Sequence, residues 1–212
     1  MKRAKIVISF LITLALIAMF GCSNTTPQNK LTESEKATMV SEAVTDSYST
    51  LSTASKDYTY TITASETGST TISDGEGGTL TATLGTDTSG LTNSAYYDDV
   101  KSATFIYQFS YTNFHLTATD SDGNEIPVVL NGSVTLGMVV DSDTTTGTQT
   151  IIIVFYGNID GTVDTETFSG YSVDIKYTYT VTSTSTSGKI EGTVNGETIN
   201  QTYTVQVSAP TP

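Results

Sequence analysis

Between residues 57 and 208, apolar and polar side chains alternate along the chain with a period of two. The clearest run spans residues 171–181, where Tyr, Val and Ile alternate with Ser, Asp, Lys and Thr. Such alternation is typical of strands with one buried and one solvated face, which antiparallel sheets allow. The turn sequences between the runs are rich in Gly, Asn and Asp and too short for crossover helices. The pattern predicts a mainly β domain, an antiparallel meander of about nine or ten strands arranged as an open curved sheet, a barrel-like sheet or a sandwich.

Three local departures from this alternation predict how the longest strands behave. The apolar phase slips by one residue near Thr112 and Asn113, which predicts a β-bulge. Gly132 interrupts the next strand and predicts a kink. Residues 151–156 (IIIVFY) are apolar on both faces. We therefore expect this strand to be central and to be covered on its second side by a helix or another layer.

Residues 31–56 carry apolar side chains near a 3.6-residue period and predict one N-terminal amphipathic helix. Thr32 and Glu35 have the spacing of a capping box at its start. Glu42 and Asp46 lie away from the apolar stripe. Helices that lie on membrane surfaces carry Lys and Arg on their polar face, whereas this face is acidic. We therefore expect the helix to pack its apolar stripe on the following β domain.

The first 21 residues have the three-part plan of an export signal. A basic start precedes an apolar run at residues 6–20, which is shorter than the roughly 20 residues that a membrane span requires. The basic residues are Lys2, Arg3 and Lys5. Gly21 and Cys22 follow the run directly, and Cys22 is the only cysteine of the chain.

At this junction the sequence resembles the lipobox of bacterial lipoproteins, in which a small residue precedes a lipidated cysteine. Gly21 and Cys22 match that pair, and Met19 and Phe20 occupy the two positions before it. The resemblance implies a lipoprotein signal peptide at residues 1–21 and a diacylglyceryl thioether on Cys22, usually with an acylated amino group. Two or three acyl chains make such membrane anchoring stable. Because the next residue is Ser23 and not Asp, the resemblance implies the outer membrane rather than the inner one in a Gram-negative cell envelope.

The remaining chain divides into four segments by pattern. Residues 22–30 form the lipidated cysteine with a polar tether, and residues 31–56 form the amphipathic helix. Residues 57–208 form the antiparallel β domain, and residues 209–212 form a tail.

Charge and composition exclude several classes of function. The 212 residues include 9 basic and 22 acidic ones, a formal charge of −13 that becomes −16 without the three basic residues of the leader. This acidity excludes the basic footprint of a nucleic-acid partner. One Cys and one His exclude a disulfide framework, a cysteine-rich zinc site and a two-His metal site.

The residue pattern also contains no recognisable catalytic constellation. The single histidine, His115, alternates away from its apolar neighbours, so we expect it on the wetter face of its strand and not in a catalytic role. The chain has no phosphate-binding loop and no nucleophile elbow. The sequence therefore predicts that the protein is not an enzyme.

Calcium is the one cofactor that the acidic turns suggest. In a meander, connections two apart lie at the same end of the sheet, so the turns near residues 120 and 164 should be neighbours. Carboxylate oxygens are ligands that Ca²⁺ prefers. The candidate ligands are Asp120, Asp122, Asp160, Asp164 and Glu166. Hydrated hairpin turns without a metal are the favoured alternative.

Two functions of different classes fit these observations. The first is a lipid-anchored envelope protein whose β domain is a non-catalytic structural or interaction module, with an envelope protein, a glycan or a lipid as its partner. The second is a carrier for an apolar ligand, because a long curved meander with a helix across its mouth resembles, at the level of fold, the half-barrel lipoprotein carriers of the envelope. Fold resemblance alone is a weak basis for function.

Overall fold

The computed structural model describes residues 30–53, 61–64, 68–85, 87–103, 105–182 and 184–206. Within these ranges, nine antiparallel strands form one open sheet in sequence order, each strand pairing with the next. The strands are β1 (Thr61–Ala64), β2 (Ser69–Ser73), β3 (Thr79–Leu84), β4 (Phe105–Thr119), β5 (Glu125–Asp143), β6 (Thr148–Val163), β7 (Glu166–Val181), β8 (Ser185–Val194) and β9 (Glu197–Gln206). The helices are α1 (Glu33–Thr53) and α2 (Tyr97–Val100), and a 3-10 turn lies at Ser89–Leu91. The predicted antiparallel, mainly β fold is confirmed, although the sequence predicted one helix and the described residues contain two.

The start of α1 has the capping box that the sequence predicts. The backbone N–H of Thr32 donates to Glu35 Oε2 at 2.8 Å, and the N–H of Glu35 donates to Thr32 Oγ1 at 3.2 Å. These bonds satisfy backbone donors that have no partner within a helix. The structure describes the helix as far as Thr53, and residues 54–56 of the predicted helix lie outside the described residues.

One face of the sheet carries the main core, and α1 packs on that face in contact with β4 to β9. Side chains that are wholly buried between helix and sheet come from both, including Val40 and Val44 of α1 and Phe109, Phe114 and Phe155 of the strands. Every residue from 36 to 51 is buried or half-buried. The helix is thus enclosed around its whole circumference and not only along one stripe.

The long strands bend where the sequence breaks its alternation. The β4–β5 register shifts between Tyr111 and Phe114, which confirms the predicted bulge. Within the bulge Asn113 has a φ of +47°, a conformation that Asn tolerates better than most residues. Gly132, at the predicted kink, has a φ of +102°. A Cβ atom there would lie 2.7 Å from the carbonyl oxygen of Asn158, so the close approach of β5 and β6 requires glycine.

The central strand β6 is covered on both faces, as its apolar sequence predicts. Phe155 faces α1, and Val154 faces the opposite side of the sheet, where it is wholly buried. The cover on that second side is residues 87–103, the connection between β3 and β4, which we call the outer strap. Its Leu91 and Val100 pack on Val154.

The connections divide the sheet into two ends. The turns β4–β5, β6–β7 and β8–β9 lie at the end where α1 begins, which we call the entry end. The turns β5–β6 and β7–β8 lie at the opposite end with the C-terminal half of α1, which we call the exit end.

Candidate functional site

At the entry end, a buried lysine fixes the start of α1 to β7. Lys36 is 5% exposed, and its Nζ lies 2.6 Å from Glu33 Oε1 and 3.4 Å from Glu166 Oε2. The hydroxyl of Tyr171 donates to Glu33, and the backbone N–H of Leu31 donates to Glu166 Oε1 at 3.1 Å. The hydrogen bond to Glu33 raises the pKa of Lys36 against the opposing effect of burial. The position at which the chain enters the domain is therefore fixed by charge-assisted bonds.

In the middle of α1, a single carboxylate joins two distant strands. Glu42 Oε2 accepts the backbone N–H of Thr119 in β4 at 3.2 Å, and Glu42 Oε1 accepts the side-chain amide of Gln201 in β9 at 3.1 Å. Strands β4 and β9 are five positions apart in the sheet order. Because both reach the same side chain, the sheet must curl around the helix. Burial raises the pKa of Glu42, and the two hydrogen bonds partly offset this effect.

One turn further along α1, Asp46 is also half-buried. Burial, and then the nearby charge of Glu42, raise the pKa of Asp46 to about 6. The sequence pattern sets both carboxylates apart from the apolar stripe. The structure nevertheless places them inside the curled sheet, because strands from both sides of the sheet reach the helix.

Toward the exit end, hydroxyl groups of α1 bond to the long strands. Ser47 Oγ lies 2.7 Å from the hydroxyl of Tyr111, a side chain that is 3% exposed. The hydroxyl of Tyr48 donates to the sulfur of Met138 at 3.3 Å. Beyond these contacts the core face ends in three exposed apolar side chains. They are Leu84, Phe105 and Val140, with exposed fractions of 51%, 41% and 38%.

On the opposite face, polar side chains of β7 hold the outer strap in place. The carboxylate of Asp174 accepts the hydroxyl of Ser94 at 2.6 Å and the backbone N–H of Ala95 at 2.9 Å. Lys176 Nζ lies 3.1 Å from Asp99 Oδ2 and 4.8 Å from the centre of the Tyr96 ring. The sequence gives no signal for these contacts, because the strap and β7 are about 80 residues apart in the chain.

His115 lies on the wetter face of β4, as the sequence predicts, with 34% of its side chain exposed. The structure adds a partner that the sequence does not reveal, since His115 Nδ1 lies 2.7 Å from Asp74 Oδ2 in the β2–β3 turn. Asp74 Oδ1 accepts two further bonds, from the N–H groups of Glu76 and Gly78, each at 2.9 Å. Burial of Asp74 opposes its ionisation, but these bonds outweigh it and lower the pKa of the carboxyl to about 2.

The acidic turns proposed as calcium ligands do lie at one end of the sheet. The backbone N–H of Asp164 donates to the carbonyl of Pro127 at 2.8 Å. This bond brings the β6–β7 turn beside the start of β5, which follows the turn that holds Asp120 and Asp122.

Three of the five carboxylates are engaged in bonds to other groups of the protein. Asp120 accepts backbone N–H groups of its own turn, and Asp160 accepts the hydroxyl of Ser169 at 2.7 Å. Glu166 binds the start of α1 through Lys36. Within the described ranges, no group of three or more His, Cys, Asp or Glu side chains is arranged to hold a metal ion. The structure therefore brings the predicted turns to one end of the sheet, and three of the five predicted carboxylates, those of Asp120, Asp160 and Glu166, already accept bonds from protein groups.

Cys22, the predicted lipidation site, lies outside the described residues. Among the helices that the structure describes, none is both long enough and apolar enough to cross a membrane. No protein-family model matches the chain, and comparison with curated proteins and with solved structures found no match.

Proposed function

We propose that this chain is a lipid-anchored protein of the bacterial cell envelope, and that its curled sheet is a non-catalytic structural or interaction module. The observation that carries the proposal is the placement of the only cysteine, Cys22, directly after Gly21 and a 15-residue apolar run. The half-buried residues Glu42, Asp74 and Asp174 support the second part, since the carboxylate of each is engaged in bonds that hold elements of the fold together.

The fixed entry point of the chain gives the proposed anchor a direction. Leu31 lies nine positions after Cys22, a span of at most about 30 Å in an extended chain. Leu31 is bound to Glu166 at the entry end. A lipid on Cys22 would therefore keep the entry end toward the bilayer and leave the outer strap and the exit end available to a partner such as an envelope protein or a glycan.

Expression of the full chain in a bacterial host, followed by membrane fractionation and intact-mass analysis, tests the anchor. We expect the protein in the membrane fraction, beginning at Cys22 and carrying the added mass of a diacylglyceryl group. Cys22→Ala should abolish both the cleavage and the added mass, whereas Ser23→Ala, one position away, should keep them. A wild-type protein that carries an unmodified Cys22 thiol would rule out the proposed anchor.

A second candidate, a carrier of an apolar ligand, is favoured by the three exposed side chains at the exit end. Leu84, Phe105 and Val140 share the core face of the sheet. Phe105 pairs with Met138, which accepts the hydroxyl of Tyr48 in α1. A lipid chain could cover the three exposed side chains, although α1 already fills the face behind them. Native mass spectrometry of protein purified without detergent distinguishes the two functions. A bound lipid that is lost in Phe105→Ser but kept in Phe168→Leu would support the carrier, and a ligand-free mass would exclude it.

A further inference from the structure

The β2–β3 turn places the only histidine of the chain between two carboxylates. On one side, the nearly buried Asp74 accepts both the backbone N–H of His115, at 2.9 Å, and its ring Nδ1, at 2.7 Å. On the other side, Glu76 Oε2 lies 3.7 Å from His115 Nε2. The imidazole is therefore fixed at one nitrogen, and its other nitrogen faces an exposed carboxylate.

The acceptor character of Asp74 decides which ring nitrogen carries the proton. The carboxylate of Asp74 accepts hydrogen bonds from three backbone N–H groups, those of Glu76, Gly78 and His115, which is the pattern of an ionised carboxylate, and such a group has no proton to donate. Nδ1 must then be the donor, and Nε2 of the neutral ring keeps its lone pair. Metal-binding histidines commonly show this arrangement, in which a carboxylate orients the ring through the nitrogen that does not bind the metal.

We propose that His115 Nε2 and Glu76 Oε2 form a binding site for a divalent transition-metal ion such as Zn²⁺, with water completing the coordination. Zinc bonds of about 2.1 Å at a tetrahedral angle place two ligand atoms about 3.4 Å apart, close to the 3.7 Å between these two atoms. The side chain of Glu76 is 71% exposed and lies between Gly75 and Gly77. Glu76 can therefore move the few tenths of an ångström toward His115 that zinc coordination requires.

Two protein ligands make this a weaker site than a structural zinc site, which uses four. The site would join the β2–β3 turn to the part of β4 that extends beyond β3, since β3 pairs with β4 only as far as Thr112. A bound ion would thus add to the two contacts that Asp74 makes with His115 there. This inference does not depend on the lipid anchor.

The test uses the full-length chain, purified in detergent and freed of metal, with Zn²⁺ as the probe. Calorimetric titration should show binding, and the ring signals of His115, the only histidine, should shift in the nuclear magnetic resonance spectrum as the ion is added. His115→Ala should abolish the binding. Glu76→Gln should weaken it at least tenfold, because losing the charge of a direct ligand should cost no less than losing an outer-shell partner, which costs about tenfold or more. Glu125→Gln, at an exposed glutamate of β5 away from the site, should bind as the wild type does.

The same measurements would expose an ordinary ion pair between a protonated His115 and Glu76, which has the same geometry. In that case Zn²⁺ leaves the ring signals of the wild type unchanged up to millimolar concentration, and the proposal fails. Zinc that binds equally well to the His115→Ala variant would overturn it too, because the ion would then be held by carboxylates elsewhere. The wild-type spectrum decides the question even if a variant does not fold.

Discussion

At the scale of single residues, Asp46 is a group whose ionisation opposes the fold. Its carboxyl sits inside the curled sheet one turn from Glu42, and its pKa is raised to about 6. A carboxyl whose pKa is higher in the folded than in the unfolded chain stabilises the fold most when it is protonated. The stabilisation that protonated Asp46 gives is fully present in acid, below the pKa that this carboxyl has in the unfolded chain. It is lost as the pH rises to about 6.

Asp46→Asn should therefore raise the free energy of unfolding at pH 8 by roughly 1–2 kcal/mol and change it little at pH 4. Urea denaturation at the two pH values measures both. Asp98→Asn, at a side chain of the outer strap that is 90% exposed, is the matched control and should have no such pH dependence. Equal effects of Asp46→Asn at both pH values would show that the charge of Asp46 is not what opposes folding.

The local chemistry around these residues was readable from the sequence only where the partners are close in the chain. Thr32 and Glu35 are three residues apart, and their capping box was predictable from spacing alone. The burial of Glu42 depends on Gln201, which is 159 residues away. The pairing of His115 with Asp74 likewise spans 41 residues. The spacing of apolar residues reflects only contacts within about one helical turn, so it cannot predict contacts between such distant residues.

At the scale of elements, glycines in left-handed conformations allow the long strands to bend. Gly132, Gly161 and Gly192 have φ angles of +102°, +157° and +138°, and each precedes a Ser-Val or Thr-Val pair. A Cβ atom on Gly161 would lie 1.9 Å from the carbonyl oxygen of Val129, and one on Gly192 would lie 2.2 Å from that of Asp174. The recurrence of this tripeptide in the sequence thus corresponds to a shared backbone requirement.

Gly161→Ala should lower the free energy of unfolding by about 3 kcal/mol, since it adds a backbone collision to an unfavourable φ. Gly147→Ala is the matched control. Its φ is +68°, but a Cβ atom there would meet nothing within 4 Å, so we expect a loss of only about 1 kcal/mol. Chemical denaturation of the two variants separates the cost of the backbone collision from the cost of a positive φ. Equal losses in the free energy of unfolding would contradict the role assigned to Gly161.

The strands were largely predictable, because the alternation of apolar and polar residues in each one shows which of its faces is buried and which is in contact with water. The bulge at Asn113 and the double burial of β6 were both visible in the apolar phase. The outer strap was not, because α2 has only four residues, too few to show a helical period. Its position depends on Asp174 and Lys176, which are recognisable as partners only once β7 lies beneath it.

At the scale of the whole molecule, the curl of the sheet around α1 is held by the link from β4 through Glu42 to β9. Glu42→Ala leaves the backbone N–H of Thr119 without its acceptor and frees the amide of Gln201. Loss of bonds to a charged acceptor costs about 2 kcal/mol. We expect that loss in the free energy of unfolding at neutral pH.

A double-mutant cycle identifies the part of this loss that crosses the sheet. Glu42→Ala and Gln201→Ala should couple by about 1 kcal/mol, whereas Glu35→Ala and Gln201→Ala, which share no contact, should add independently. A coupling energy near zero for Glu42 and Gln201 would mean that the curl does not depend on this bond. The sequence predicts the order of the strands. The curl of the sheet could not be predicted, because it depends on Thr119 of β4 and Gln201 of β9 reaching the same side chain, Glu42.

The enclosure of α1 also has a consequence for the order in which the parts of the fold can form during synthesis. The helix is the first described element to leave the ribosome, yet the strand that completes its surroundings is the last, so its enclosure waits for nearly the whole chain to be made. Contacts between such distant segments slow folding, because a long loop must close before they are gained. Until β9 is synthesised, Glu42 lacks the side-chain amide of Gln201 as a partner. The surroundings of α1 are therefore completed only late in synthesis, when β9 can pair with β8 and reach the helix.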